Sequence, residues 1–250
     1  MLLRFLWAGL MAGLLAGVPT AAIQYVTTTP LILHAEAYEH ADPAGHAALS
    51  GGENHLGGQI IPAGFILAHS AAPEAGADAN WAPNDGLERT LYTSVATIIT
   101  TIGYAFMLLA AMFLAGDKIS PRTGLLWGLA GFAATGLAPA LGLGPELPGA
   151  ASAGLISRQI WWITTAVLTA GGLWMILRIS SALAICIGVV LMAVPHLIGA
   201  PHPALLTSAV PSELAANFAA SSLVLHAILW VLAGISVGFM WQRGERQADL

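Results

Sequence analysis

Charge is what this sequence has least of. Of 250 residues only 8% are Asp, Glu, Lys or Arg, against 57% hydrophobic, and the mean hydropathy is +0.76. A soluble domain carries roughly 25% charged residues, so lipid must serve as much of this chain's solvent. Lys and Arg number eight and the formal net charge is -5, which excludes a nucleic-acid binder, since that needs a basic face to displace counterions. There is one cysteine, Cys186, inside an apolar run. It can close no disulfide within the chain, and is expected to act as a small packing residue. Short chemical motifs are missing too. No G-x-x-x-x-G-K-[ST] loop, HExxH or CxxC occurs, which removes phosphate-loop ATP hydrolysis and a fixed catalytic or structural zinc. No nucleophile–base pair stands out, so the chain is not read as an enzyme.

What is present is a set of apolar runs of about 20 residues, the length of a membrane-spanning helix. Six are expected: Phe5–Val26, Leu91–Ala115, Gly124–Leu143, Ile160–Leu177, Ser181–Gly199 and Ala215–Trp241. The fold class is therefore all-α, a polytopic membrane helix bundle in a single domain over residues 1–250. Two features leave five as the alternative count. Met1–Ala22 also has the basic start, apolar core and small-residue end of a cleaved signal peptide, although Gly9, Gly13 and Gly17 mark a helix-packing face. The fourth and fifth runs are separated only by Arg178, Ile179 and Ser180, which makes either a tight hairpin or one kinked or re-entrant pair. Further small residues, Gly128 with Gly131, Gly171 with Gly172 and Gly234 with Gly238, suit close helix contacts, and the Gly/Pro-rich stretch 137–149 is expected to break the third helix near the outer face.

Lys and Arg set the orientation, because they are retained in the cytoplasm. With the N-terminus inside, Arg4, Lys118, Arg122, Arg178, Arg243 and Arg246 are cytoplasmic and only Arg89 and Arg158 are outside. Both termini are then cytoplasmic, and residues 34–89 form one long extracytoplasmic loop.

Histidine placement points to chemistry. His34, His40, His46, His55 and His69 fall in that loop, with Glu36 and Glu39 among them. Imidazole and carboxylate together suit Zn, Ni, Co or Cu, and Glu36 and His40 stand four apart, as on one helical face. The bland alternative is a solvated acidic loop of no consequence. His202 belongs to the last outer loop, His196 to the outer end of the fifth span, and His226 lies about 16 Å into the sixth by helix rise. Ionisable groups at such depth point to a pathway or cofactor; the competing reading is a neutral histidine bonded to a neighbouring helix. Asp85 with Glu88 resembles a capping box, and Glu213 at the start of the sixth span favours its helix dipole, so a cap or gate is their expected role. Glu146, in Gly144-Pro145-Glu146-Leu147-Pro148-Gly149, has no capping role to explain it.

These motifs also carry a family resemblance. Trp81-Ala82-Pro83 leading into Asp85-Gly86-Leu87-Glu88-Arg89-Thr90-Leu91-Tyr92, Trp127-Gly128-Leu129-Ala130-Gly131-Phe132, Leu137-Ala138-Pro139-Ala140-Leu141-Gly142 with Pro145-Glu146-Leu147-Pro148-Gly149, Arg158-Gln159-Ile160-Trp161-Trp162, Pro195-His196-Leu197-Ile198-Gly199-Ala200-Pro201 and Val210-Pro211-Ser212-Glu213-Leu214-Ala215 resemble the CbtA family, predicted cobalt transporter subunits. The resemblance covers nearly the whole chain apart from the loop interior, and implies a bacterial inner-membrane protein that takes up cobalt for cobalamin synthesis. It also implies a partner, a small single-span subunit with histidines near one terminus. The outer loop departs from the family in its length and added histidines.

Together these readings predict uptake of a divalent transition-metal ion, Co²⁺ on the resemblance, with Ni²⁺ or Zn²⁺ as alternatives on ligand chemistry, and no tightly bound cofactor. The loop captures the ion, Glu146, His196 and His202 collect it, and His226 relays it. Two rivals remain: a redox protein in which His196 and His226 ligate haem, and a non-transporting scaffold for a partner transporter.

Overall fold

The computed structural model describes residues 1–41, 83, 86–203 and 208–248. The described residues form seven helices: α1 (Leu2–Val26), α2 (Thr28–Ala41), α3 (Leu87–Leu114), α4 (Pro121–Phe132), α5 (Leu155–Arg178), α6 (Ala182–Ile198) and α7 (Ser212–Ala248). Helix α4 runs on through a π-helical turn, Ala133–Leu137, and a last α-turn, Ala138–Ala140. The described residues thus make an all-helical bundle, and among them α1, α3, α5 and α7 are long and apolar enough to cross a membrane. The other two predicted spans differ for physical reasons. Helix α6 has only 17 residues, about 25 Å of rise, and α4 loses regular hydrogen bonding at its π turn.

Glycine and alanine dictate the packing. Between lipid-soluble helices no hydrophobic force acts, so close approach over small residues provides the attraction. On α1, Gly9, Gly13 and Gly17 meet Phe106, Ile102 and Ile98 of α3, while Ala8, Ala12 and Ala16 are fully buried in the main core. The expected packing face of the first run is therefore in use. On α4, Gly124 lies against the backbone of Gly234, Gly128 against that of Trp230, and Ser120 against Gly238. A methyl group on Gly124 would collide with the Gly234 carbonyl oxygen, and one on Gly234 with the Gly124 carbonyl oxygen. Gly172 and Gly188 face each other's carbonyls in the same way across α5 and α6. That last contact makes the fourth and fifth runs two antiparallel helices, joined through extended Ile179 and Ser181.

In each pair the residue numbers run in opposite senses, so the six long elements alternate in direction. One end of the bundle gathers the basic residues. Arg4 there is paired with Glu245 and lies 4.1 Å over the Trp241 ring, and Arg178 meets Asp117 beside Lys118. The opposite end holds Arg89 and Arg158, and each is ion-paired with a carboxylate, Glu36 and Glu146 respectively. Ion pairs therefore occur at both ends, and the two exceptions to the charge bias are each held by a carboxylate.

Two expectations need correction. Residues 34–41 are helical rather than loop, because Leu31, Ile32, Ala35 and Tyr38 recur at helical spacing and pack on Leu147, Val210, Leu214 and Phe218 in a second, smaller core. Helix α3 likewise begins at Leu87, so residues 87–89 are helical as well. Cys186 is exposed on α6 rather than packed.

Candidate functional site

Most of the histidine-rich segment, with His46, His55, His69 and Asp85, lies outside the described residues, as do the side chains of Glu39 and His40. On α2, His34 is exposed with its ring 5.5 Å from that of Tyr38. Glu36 faces inward instead, where its two oxygens take both terminal nitrogens of Arg89, Nη1 at 2.8 Å. A bidentate guanidinium is a strong, geometrically exact partner for a carboxylate, and here it clamps α2 to the first turn of α3. At that turn Gly86 is the N-cap, at φ +92°, without a side-chain cap, and Glu88 stands in the first turn. Glu213 is exposed in the first turn of α7, where a carboxylate is favoured by the helix dipole.

Glu146, His196 and His202 all belong to the end of the bundle opposite the basic one. Glu146 lies in the turn after α4 and accepts Arg158 Nη2 at 2.7 Å, both side chains being roughly three-quarters buried. Its neighbour Leu147 anchors the turn in the smaller core. His196 closes α6 next to buried Pro195. The Trp161 ring stands edge-on to it at 5.9 Å and donates its indole N–H to the Pro195 carbonyl at 3.2 Å. Gly142 packs on the same indole and on Ala200, so the ends of α4, α5 and α6 converge there. His202 is exposed beyond α6. Among the described residues no three His, Cys, Asp or Glu side chains come close enough together to hold a metal ion.

His226 is set deeper, facing the π turn. Its ring packs against Phe132 and Tyr104, and Gly136 leaves room for its edge. Trp230, one helical turn on, donates its indole N–H to His226 Nε2 at 2.8 Å, and Thr135 Oγ1 lies 3.2 Å from the same nitrogen. Indole nitrogen only donates, so Nε2 must be the accepting atom and the ring proton sits on Nδ1. A metal ion reaching Nε2 has to displace that indole.

One polar cluster was missed in the sequence. After α3, Gly116 at φ +70° closes a Schellman motif, with Asp117 N–H bonded to Met112 O at 3.0 Å and Gly116 N–H to Phe113 O at 3.1 Å. Only glycine adopts that conformation cheaply, and it delivers Asp117 to a fixed place. Asp117 Oδ2 accepts Arg178 Nη2 at 2.6 Å and Trp127 Nε1 at 2.7 Å. The guanidinium of Arg178 also lies 5.1 Å from the Trp174 ring and 5.8 Å from that of Trp127, within cation–π range. The available signal was an acid directly after a glycine at a helix end, Gly116-Asp117-Lys118.

A family model described as "Probable cobalt transporter subunit (CbtA)" matches residues 2–242. No curated protein matches the chain, and neither does any solved structure.

Proposed function

Because the chain belongs to the CbtA family of probable cobalt transporter subunits, we propose that it carries Co²⁺ inward across a bacterial inner membrane, supplying cobalamin synthesis. Its basic end, with both termini, is cytoplasmic by the retention of Lys and Arg. The observation that supports this orientation best is the uneven placement of Lys and Arg, with Arg4, Lys118, Arg122, Arg178, Arg243 and Arg246 at one end and Arg89 and Arg158 at the other. Glu146, His196 and His202 receive the ion at the outer mouth, after weak capture by the residues that precede α3: His34, Glu36, Glu39, His40, His46, His55 and His69. His226 passes it deeper once Trp230 releases Nε2.

No ATP is needed for such a step. Two charges moving inward across an inside-negative 100 mV release about 4.6 kcal/mol. The selectivity for cobalt rests on the family, since imidazole sites favour Ni, Cu and Zn. With no three ligands together among the described residues, the remaining donors come from the segment before α3 or from a small single-span, histidine-bearing partner subunit. Glu88 and Glu213, in the first turns of α3 and α7, serve with Asp85 as a cap or gate at the outer helix ends through the helix dipole.

Radiolabelled Co²⁺ uptake in cells expressing wild type, Glu146→Ala, His196→Ala and His226→Ala tests the pathway. Each substitution is expected to lower uptake about tenfold, the worth of one lost ligand or charge-assisted bond. Wild-type rates in all three variants remove the pathway. Uptake by the chain alone in liposomes separates transport from scaffolding.

A further inference from the structure

Helix α5 carries one arginine near each end. Arg158 and Arg178 stand twenty residues apart, about 30 Å at 1.5 Å per residue, which is the thickness of a bilayer's hydrocarbon core. Each fills a carboxylate on a neighbouring segment rather than on its own helix: Glu146 in the turn after α4, and Asp117 in the turn after α3. Both carboxylates are thus occupied by a cation that belongs to α5.

The attachments of α5 are otherwise light. It packs chiefly on α6, and α6 packs chiefly on α5. The pair reaches the rest of the bundle along the π turn and last turn of α4. Helices α1, α3, α4 and α7, by contrast, are locked by the glycine contacts and the main core. π-helical turns concentrate at functional sites in helices, and this one separates the α5–α6 hairpin from His226. At the basic end the fixed partner is Asp117, held by its Schellman turn and the Trp127 indole. The movable partner is Arg178, on a side chain two-thirds buried between two tryptophans.

We propose that Asp117 and Arg178 form the gate at the basic end of the pathway, the carboxylate exchanging its guanidinium for the arriving divalent ion. The inference rests on the transport reading above. A divalent ion offers the carboxylate twice the charge of a guanidinium, so it competes for the same oxygens. Once displaced, Arg178 no longer holds the end of α5 against the α3–α4 turn. The hairpin then swings on the π turn, a rigid-body rocking of one helix pair against a fixed bundle. Glu146 and Arg158 are the corresponding pair at the other end, so the same helix senses cation occupancy at both membrane faces.

The test bridges the gate without removing it. In a Cys186→Ala background, Lys118→Cys and Ile179→Cys flank the pair and leave Asp117 and Arg178 in place. A membrane-permeant bifunctional methanethiosulfonate then ties the two turns together, reversibly with dithiothreitol. In membrane vesicles the bridge is expected to cut Co²⁺ uptake about tenfold or more, with recovery on reduction. In detergent, Co²⁺ is expected to slow bridging by about tenfold, and Asp117→Asn to abolish that slowing. A plain structural tether behaves otherwise, since an added bridge leaves its role unharmed. Bridged protein that takes up Co²⁺ at the reduced rate overturns the gate. Where the unbridged parent takes up no Co²⁺, the transport reading fails instead; bridging that ignores Co²⁺ then overturns the gate as well, and bridging that Co²⁺ slows upholds a cation-sensitive clasp.

Discussion

A single donor atom decides how His226 can behave. The Trp230 indole N–H points at Nε2, and hydrogen bonds inside a low-dielectric medium are costly to leave unmade. Replacing Trp230 by Phe removes the donor while keeping an aromatic ring against Tyr104, with which Trp230 stacks at 4.7 Å. The expected loss is about 1–3 kcal/mol of stability, read as a lowered melting temperature in detergent. In a His226→Leu background the same change is expected to cost clearly less, because the pair acts as a unit. Equal costs in the two backgrounds would show that the ring, not the bond, matters. At this scale the sequence was only half legible. It marked His226 by depth and Glu146 by the lack of a capping role. It did not reveal that Trp230 takes the lone pair of one and Arg158 the charge of the other, since such partnerships depend on how separate helices meet. Asp117 escaped for the same reason, its partner Arg178 being 61 positions away.

Helices were easier to read than their partners. Apolar length marked each long element, and the four-residue spacing of Gly9, Gly13 and Gly17 marked a packing face on α1 without naming α3 as its partner. The π turn gave no such sign, because Ala133–Leu137 is as apolar as its surroundings. Helix α2 was hidden by its own histidines and acids, although Leu31, Ile32, Ala35 and Tyr38 carried a helical period. The glycine contacts lead to a paired expectation. Gly234→Ala drives a methyl group into the Gly124 carbonyl, backbone against backbone, where nothing can yield. That variant should lose folded monomer on size-exclusion chromatography. Gly103→Ala, on the open face of α3 with nothing nearby, should instead gain up to about 1 kcal/mol from helix propensity. Equal behaviour of the two would show that helix propensity outweighs close packing in this bundle.

The whole molecule is sorted by charge, and orientation follows if membrane insertion obeys that sorting. In the Cys186→Ala background, a cysteine at Lys118 should react with an impermeant maleimide only from the cytoplasmic face, and one at Ala151 only from outside. The opposite pattern would turn the proposed importer around. The count of spans was hard to read at this scale, because α4 and α6 are each short of a full regular span. Helix α7 gives the bundle its centre: it touches α1, α2, α3 and α4 along its length, yet follows all of them in the chain. During synthesis the glycine face of α4 must therefore wait, side by side with lipid, for a helix made well after it, whereas the glycine face of α1 finds α3 early. Local hairpins such as α5–α6 form early, and closure of the core is a late event that any interruption of translation within α7 would forfeit.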